Sequence, residues 1–451
     1  MLSRVLQTGA YLLSLALLCF IAGAMVVLAE VFPYPFLRDA YLGGRAALEK
    51  QEQSADRYRT DFWYPERTDA KGVTLHEEAR AQPGLTLYVS GHDTAAFLVS
   101  MTGEVVHEWR LPFSEVWDDS AAVRDPQPDG FMTWRKAVLF PNGDLLAIYV
   151  AAGDSPWGYG IVKLDKDSNV IWKYLQQAHH DVDVAEDGRI YALTHEIRFN
   201  TYPEFGQLQV PRIDDFVVVL SPDGQQEAKV PVIDALIASP YSRLLSRLAW
   251  YTKGDYIHTN AIELIEGEGA DRLRVGKPGE VLISMRELDL IAVLDLESED
   301  IVWALRGSWL AQHDPDLLPN GDILLFDNRG HYGKGGQSRI IEIDPVNAAV
   351  VWSYAGTPEQ PFDSEVRGAQ ERLANGNTLI SESVGGRIFE VTPEGEIVWE
   401  FINPVRAEGR SEDGRALIPI VDWAQRIDPD TLDADFLGEE LASTAGGKPS
   451  D

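Results

Sequence analysis

The sequence predicts an all-β fold, a six-bladed β-propeller that follows an N-terminal transmembrane helix. From Gly84 onward, short apolar strands alternate with Gly, Asp and Asn turns. This plan recurs in six units of roughly 45–65 residues, and radially repeated four-stranded units are typical of propellers. A β-sandwich would not repeat a four-stranded module six times. All units but one also close on a tryptophan; the closing residues are Trp109, Trp172, Val230, Trp303, Trp352 and Trp399.

Residues 9–29 form an uncharged, mostly apolar run after a short flank at residues 1–8. A helix needs about 20 residues to cross a bilayer, and this run has that length. A cleaved signal peptide has a shorter apolar core of about 7–15 residues, although residues 27–29 would serve as a cleavage site. The length therefore favours an uncleaved signal anchor that crosses the membrane once.

The charges around this run are too few to fix its orientation by the positive-inside rule. Because no second apolar run of this length follows, we expect the large C-terminal part to lie outside the cytoplasm. In a Gram-negative bacterium, this places the chain in the inner membrane with its propeller facing the periplasm.

The propeller itself is expected to span residues 84–402. Residues 30–83 form a juxtamembrane region, in which residues 46–57 are compatible with a short polar helix. Residues 403–451 form a C-terminal extension that is expected to pack across the propeller, and residues 442–451 have the composition of a disordered tail.

Acidic residues outnumber basic ones by 71 to 39, which gives a formal net charge of −32. Such a surface repels nucleic-acid phosphates and anionic lipid headgroups, so neither is expected as a partner. An anionic substrate would need a local basic site. The single cysteine, Cys19, excludes an intramolecular disulfide and cysteine-based metal sites. No P-loop is present, and we expect no cofactor.

A polar slot recurs at a fixed distance before the hairpin turns. His180 and His313 each lie eight residues before the glycine of an Asp-Gly or Asn-Gly turn. Such turns between apolar runs are a strong hairpin signal, so each slot should lie at the start of a strand. Arg135 and Gly368 occupy the same slot in two further units.

The first strand of a propeller blade lines the central channel, so these slots should face the channel at one end. Three successive blades place a histidine there, namely His180, His258 and His313. One such histidine is more often a hydrogen-bonded structural residue, but three together favour a functional site. Asn260 follows His258 by two residues, so both side chains should face the same side of the strand.

Arg286 interrupts an apolar run in the same blade as His258. It forms either a salt bridge at a strand end or a clamp for an oxyanion, since guanidinium matches anions with paired donors. Asp181 and Asp314 directly follow two of the histidines. Each either orients an imidazole or bonds its own turn or a neighbouring blade, because adjacent strand residues point to opposite faces. The aspartate runs that begin at these residues lack the ligand spacing of an EF-hand loop, so no metal site is expected; the runs are Asp181, Asp183, Asp187 and Asp314, Asp316, Asp322.

At these residues the chain resembles the bacterial arylsulfate sulfotransferases that use no nucleotide sulfate donor. The resemblance extends from about residue 71 to about residue 436. It is carried by KGVTLHEEARAQPGLTLY, SMTGEVVHEW, HHDVDVAEDG, HTNAIEL, QHDPDLLPNGDILLFDN and GAQERLANGNTLISES. The ordered set of HHD, HxN, a following arginine and QHD is its most specific part.

The resemblance implies a propeller that moves a sulfuryl group from an aryl sulfate donor to a phenolic acceptor. His313 would be the nucleophile that forms a sulfohistidine. His180, His258 and Arg286 would bind and neutralise the sulfuryl oxygens, and His258 or His180 would handle the proton of the leaving group. The expected substrate contacts are His179, Asn260 and Asp314.

The chain departs from that family in two respects. The secreted members carry an N-terminal β-sandwich domain, whereas this chain has an apparent membrane anchor and too few residues for one. The spacing from His258 to Arg286 is also long, which leaves the role of Arg286 open.

Two other function classes stay open from sequence. A metal-dependent propeller hydrolase of the lactonase type would present carboxylates and asparagines to a channel calcium, whereas these slots carry histidines and an arginine. A non-catalytic, membrane-tethered propeller scaffold would need none of the histidines.

Overall fold

The computed structural model describes residues 2–29, 31–34, 36–37, 56–248, 254–328, 337–407 and 409–438. The chain divides into two compact units, Met1–Arg57 and Tyr58–Asp451. Most of the predicted polar helix at residues 46–57, and all of the predicted disordered tail at residues 442–451, lie outside the described residues.

Helix α1 (Leu2–Leu28) is the long element of the first unit. Its segment Gln7–Leu28 has a mean hydropathy of 2.5 and is long and apolar enough to cross a membrane. In a helix the backbone hydrogen bonds are made within the segment, so such a helix can lie in lipid with its backbone polar groups paired. The predicted candidate membrane span is therefore confirmed.

The second unit is built from six antiparallel sheets, the blades of a β-propeller. The first blade contains β3 (Leu85–Ser90), β4 (Ala95–Val99), β5 (Val105–Arg110) and β27 (Val421–Ile427). The second contains β6 (Met132–Leu139), β7 (Leu145–Ala151), β8 (Gly158–Leu164) and β9 (Val170–Tyr174). The third contains β10 (Ala178–Val184), β11 (Ile190–Arg198), β12 (Arg212–Leu220) and β13 (Gln226–Pro231).

The other three blades continue this order. The fourth contains β14 (Thr259–Leu264), β15 (Val281–Met285), β16 (Leu290–Asp295) and β17 (Asp300–Arg306). The fifth contains β18 (His313–Leu317), β19 (Ile323–Asp327), β20 (Arg339–Asp344) and β21 (Ala349–Ala355). The sixth contains β22 (Ala369–Arg372), β23 (Thr378–Glu382), β24 (Arg387–Val391), β25 (Ile397–Ile402) and, at its outer edge, β2 (Gly72–His76).

A few short elements lie outside the blades. Strands β1 (Trp63–Pro65) and β26 (Leu417–Pro419) pair with each other. The short helices are α2 (Phe113–Val116), α3 (Val232–Ala238) and α4 (Gly267–Ala270).

The inner strands of the blades line the channel, as the sequence predicts. Strands β6, β10, β14, β18, β22 and β27 contact one another in turn around it. Successive strands of each blade then pair antiparallel from the channel outward. The predicted six-bladed propeller is confirmed.

Tryptophans at the ends of four blades join each of these blades to the next. The indole N–H of Trp109 donates to the Gly143 carbonyl of the second blade at 3.0 Å. Trp399 of the sixth blade donates to the Met101 carbonyl of the first blade at 3.0 Å. The same kind of bond runs from Trp172 to Pro222 and from Trp352 to Pro393. An indole both fills the interface and fixes it by its one N–H, which explains why a tryptophan recurs at this position.

The hairpin turns behind the polar slots have the conformation that the sequence predicts. Gly188 and Gly321 have φ values of 84° and 85°. A side chain on Gly321 would also come within 2.6 Å of the Arg272 carbonyl oxygen. Glycine is needed there because the backbone is left-handed and the neighbouring chain is close.

The ends of the propeller differ from the predicted boundaries of residues 84 and 402. Strand β27 lies within the predicted extension at residues 403–451, yet it is the inner strand of the first blade and pairs with β3. Strand β2 lies within the predicted juxtamembrane region and pairs with β25. The reason is that the first blade begins at β3 without an inner strand, so a strand from the other end of the chain completes it.

Candidate active site

The polar slots lie at the start of the inner strands, at one end of the channel. His180 and His258 there have φ values of 54° and 49°, a left-handed region that residues with a side chain rarely adopt. The register of β10 shifts after His179, and that of β18 shifts after His313. Bulges of this kind re-aim side chains and are common beside active sites.

Because of these bulges, consecutive residues face one cavity, against the alternation expected of a strand. We call this cavity the mouth; it has a volume of about 20 Å³. It is lined by Arg135, Lys136, His180, Asp181, Asn260, His313, Asp314, Gly368, Ala369, Asp422 and Trp423. The structure thus brings together all four slots that share the eight-residue spacing, those of Arg135, His180, His313 and Gly368.

Three predicted histidines lie at or beside the mouth. The ring centroids of His180 and His258 are 4.8 Å apart. Burial, followed by the repulsion of a positive charge on His258, lowers the pKa of His180 well below its ordinary value. Burial, followed by the positive charges of Arg135 and Arg286, lowers the pKa of His313 in the same way. Both imidazoles are therefore neutral at pH 7.

The hydrogen bonds of His313 fix its tautomer. Its Nδ1 lies 2.7 Å from Asn328 Oδ1 and 3.1 Å from the Ala311 carbonyl oxygen. The Asn328 amide nitrogen donates to the carbonyls of Ser364 and Arg367, so its oxygen is the atom that faces the imidazole. Because both partners of Nδ1 are acceptors, Nδ1 carries the proton and Nε2 keeps a lone pair.

His258 is held from two sides. Its Nδ1 forms a hydrogen bond with the carboxylate of Asp255. The Trp157 ring stacks on its face, with centroids 5.2 Å apart and planes 27° apart. The aspartate accepts the proton of Nδ1, and the stacked indole fixes the plane of the ring.

The mouth concentrates positive charge in a strongly acidic protein. Arg135 is buried and donates to Asp422 Oδ1 at 2.5 Å, and Arg367 donates to the same oxygen at 2.7 Å. Lys136 donates to Asp181 at 2.6 Å. Burial lowers the pKa of Lys136, but the nearby carboxylates raise it more, so this lysine stays charged.

Arg286 lies beside the mouth and is not among the residues that line it. Its guanidinium pairs with Glu287, and its backbone N–H donates to the His258 carbonyl at 3.1 Å. Its charge still reaches His313, whose pKa it lowers. Of the two sequence interpretations, the structure shows the salt bridge at a strand end, and the clamp for an oxyanion stays a prediction.

The other predicted contacts divide between the cavity wall and the interior. Asn260 and Asp314 line the mouth; the Asn260 amide nitrogen donates to the Gln312 carbonyl at 2.8 Å. The carboxylate of Asp314 accepts the backbone N–H of Gln370 in the next blade. His179 differs from expectation, because its ring is fully buried behind His180.

The aspartates after the histidines bond neighbouring blades, which is one of the two roles left open from sequence. Asp181 accepts the backbone N–H of Ile262 at 2.9 Å, from the fourth blade. It also accepts from its own neighbour, Val182, at 2.8 Å. Among the described residues, neither Asp181 nor Asp314 bonds the histidine that precedes it.

Sequence reasoning missed several residues of the site. The sequence places Arg135 in the same slot as His180 and His313, and this shared position was the signal that it belongs to the site. Asp422 lies on the strand from the far end of the chain, so nothing in the repeat pointed to it. The remaining ones are Lys136, Trp157, Asp255 and Asn328. The last three lie in loops, so no strand periodicity marks them.

Farther along the inner strands, half-buried carboxylates replace the imidazoles. Asp183, Glu263 and Glu371 each accept a backbone N–H from the inner strand of the next blade, at 2.6–2.8 Å. We call these three residues, together with Asp316, the carboxylate belt. Burial raises the pKa of Glu371 to about 7, and burial together with the charge of Asp183 raises that of Glu263 to about 8.

Comparison with solved structures finds weak likenesses. A protein of unknown function from Bacteroides caccae is 11% identical, with 76% of this chain and 98% of that chain covered and a TM-score of 0.47. Virginiamycin B lyase from Staphylococcus aureus is 14% identical, with 56% and 67% covered and a TM-score of 0.30. The Cps50 (Swd1) β-propeller domain of Myceliophteria thermophila is 10% identical, with 80% and 99% covered and a TM-score of 0.40. Likenesses at this level carry no argument about function. No curated protein matches the chain.

The comparison with protein families gives a clear result. Residues 136–404 match the family model described as arylsulfotransferase (ASST). The matched segment is more than half of the chain and contains His180, His258 and His313, the three imidazoles gathered at the mouth. The chain therefore belongs to the arylsulfotransferase family, a membership that supports an arylsulfotransferase activity in general terms.

Proposed function

We propose that the chain transfers a sulfuryl group from an aryl sulfate to a phenol, through a sulfohistidine on His313 and without a nucleotide sulfate donor. One observation carries this proposal. The two oxygens beside His313 Nδ1 leave the lone pair on Nε2, in a ring that lines a cavity with two cations. A neutral imidazole is a competent nucleophile and makes the reaction proceed in two steps.

The cations of the mouth suit the charge that develops. Sulfuryl transfer resembles phosphoryl transfer, in which a loose transition state spreads negative charge over the equatorial oxygens. Arg135 and Lys136 line the cavity, and Arg286 adds charge beside it. Fixed cations in a buried site stabilise such a transition state without reorganisation.

The size of the mouth limits what enters it. The cavity is small, about 20 Å³, so the sulfuryl end of the donor, which is smaller than its aromatic ring, is the part that we expect to reach His313. The ring of the donor, and later that of the acceptor, would lie outside the cavity.

The test uses the full purified chain with 4-nitrophenyl sulfate as donor and phenol as acceptor, without any nucleotide. We expect acceptor-dependent release of nitrophenolate and formation of phenyl sulfate. The peptide that contains His313 should gain the mass of one SO₃ when the acceptor is left out.

Substitution His313→Ala should lower the rate by at least roughly 10⁴-fold. The matched control is His76→Ala, which removes an exposed histidine of β2 and should leave the rate unchanged. Full activity of His313→Ala would overturn the role of His313. No transfer by the wild type over a broad panel of phenols would favour the tethered scaffold instead.

We also propose that α1 anchors the chain in the bacterial inner membrane by one crossing, with the propeller in the periplasm. The length and apolarity of residues 7–28 support the crossing. Protease added to intact spheroplasts should digest the propeller. Protection of the propeller until the cells are lysed would contradict this orientation.

A further inference from the structure

A second cluster of titratable side chains lies directly behind His180. His179, His195 and Asp215 are each no more than 1% exposed. Their nitrogen and oxygen atoms lie within 4.8 Å of one another. The proposed sulfuryl transfer gives no role to any of them, so the cluster needs an explanation of its own.

The rings do not have the arrangement that a shared metal ion requires. His179 and His195 stack with centroids 4.3 Å apart and planes only 19° apart. A metal ion binds along the lone pair, which lies in the plane of the imidazole. Two nearly parallel planes have no common point near both rings, so the polar contacts of the cluster describe it better than a metal site does.

A row of polar contacts leads from the cluster to the mouth. Asp215 Oδ1 lies 3.5 Å from His179 Nε2, a buried nitrogen with no hydrogen-bond partner among the described residues, so this contact is electrostatic. His179 Nδ1 then lies 2.6 Å from His180 Nδ1. The other carboxylate oxygen of Asp215 accepts the backbone N–H of Thr259 at 2.6 Å, which fixes the orientation of the carboxylate.

The protons along this row of contacts have one preferred arrangement. A carboxylate beside His179 Nε2 favours a proton on that nitrogen, so His179 Nδ1 is left as an acceptor. His180 Nδ1 must then donate, and the lone pair of His180 falls on Nε2. The reverse tautomers would place the lone pair of His179 against the carboxylate of Asp215.

The neighbouring His195 agrees with this picture. Its Nε2 accepts the backbone N–H of Gly158 at 3.1 Å, so the proton of this neutral ring lies on Nδ1. His195 therefore packs on His179 as a neutral ring and leaves the Asp215–His179 pair intact.

We propose that Asp215 and His179 are positioning residues that hold His180 in the tautomer whose Nε2 takes the proton of the phenolic acceptor. This inference rests on the proposed sulfuryl transfer. In the second step, the phenol O–H bond breaks and an N–H bond forms on His180 Nε2. The phenolic oxygen bonds to sulfur, and the S–N bond to His313 breaks, with its electron pair returning to Nε2. The proton on His180 later passes to the phenolate that leaves the next donor.

The experiment changes Asp215→Asn in the full chain. The Thr259 N–H keeps the amide oxygen on its own side, so the new NH₂ group faces His179 Nε2. His179 must then accept there and donate from Nδ1, which moves the proton of His180 to Nε2. With phenol as acceptor, we expect kcat/KM for the acceptor to fall roughly 10²-fold or more. With pentafluorophenol, which is already ionised at neutral pH and needs no base, the change should stay within about threefold.

The control is Asp214→Asn, at the residue that precedes Asp215 on the same strand. Asp214 pairs with Arg212 instead of a histidine, so its loss should affect both acceptors equally. If Asp215→Asn does not fold, His179→Phe removes the same contacts to His180. It should likewise lower the rate with phenol and leave the rate with pentafluorophenol nearly unchanged. His180→Ala removes the proposed base itself, so its rates with the two acceptors show the pattern that loss of the base produces.

The outcomes separate the two proposals. An equal loss with both acceptors in Asp215→Asn or His179→Phe, at unchanged Tm, overturns the positioning role while sulfuryl transfer stands. An equal loss in His180→Ala overturns the role of His180 as the base. No transfer by the wild type overturns the proposed function, and this inference with it.

Discussion

The mouth and the carboxylate belt lie on the same inner strands, yet they carry opposite chemistry. At the mouth, bulged backbone turns Arg135, His180 and His313 toward one cavity. In the belt, side chains such as Glu263 reach the next blade and accept a backbone N–H. The belt supplies what an inner strand lacks, a partner for its unpaired edge. The comparison indicates that each inner strand uses its bulged end for chemistry and its regular part for assembly.

The largest expected effect belongs to the mouth. Arg135→Gln removes a buried cation that faces the reacting group, and we expect kcat/KM for the donor to fall roughly 10²–10³-fold. Steady-state assays with 4-nitrophenyl sulfate measure this. The control is Arg189→Gln, an exposed arginine that pairs with Asp187 in a turn and should be neutral. A normal rate in Arg135→Gln would remove this residue from the site.

A smaller effect is expected for Asn328, a loop residue that orients His313 at the mouth. Asn328→Ala removes the side chain that holds the His313 tautomer, although the Ala311 carbonyl remains. We expect kcat to fall about 10-fold with KM unchanged. Asn347→Ala, at an exposed turn of the same blade, serves as control. A rise in KM alone would show that Asn328 contributes to binding instead.

In the belt, substitution should change stability and leave activity unaltered. The pKa of Glu263 is raised from 4.5 to about 8, so the folded state binds its proton more tightly than the unfolded state. Its contribution to stability is therefore present below pH 4.5 and is lost as pH rises toward 8. Glu263→Gln carries no charge and should be more stable than the wild type at pH 9 by about 1 kcal/mol or more.

Urea denaturation at pH 5 and pH 9 measures this difference. The rate of sulfuryl transfer should stay within about twofold of the wild type, since Glu263 does not line the mouth. Identical pH dependence in the two proteins would contradict a raised pKa of Glu263.

The smallest effect is expected at the outer rim, far from both regions. Trp172→Phe deletes the indole N–H that donates to the Pro222 carbonyl in the next blade. We expect a loss of about 1 kcal/mol in the free energy of unfolding, with activity unchanged. Ile171→Val, at the exposed neighbouring position, is the control. An unchanged unfolding free energy would show that this bond adds nothing to the blade interface.

Much of the fold could be predicted because its signals are local. Asn-Gly and Asp-Gly turns, apolar strands and closing tryptophans each lie within a few residues of the element they define. The closing strand at residues 421–427 could not be placed in this way, since its partner β3 lies more than 300 residues earlier.

The site was predictable to the extent that it follows the repeat. His180 and His313 occupy a fixed register, and their gathering at one cavity follows from the propeller. Alternation along a strand predicted opposite faces for His313 and Asp314, but the bulge after His313 lets both line the mouth. Asp215 and Asp255 lie outside the slots, so only the folded structure brings them to the imidazoles.

The closing strand has a consequence for how the chain becomes active. Asp422, which holds both Arg135 and Arg367, is carried by β27, near the end of the sequence. The second to sixth blades and most of the first blade can be synthesised before this carboxylate leaves the ribosome. Until then the guanidinium groups of Arg135 and Arg367 lack their shared counter-ion, so we expect a nascent or C-terminally truncated chain to be inert toward aryl sulfates.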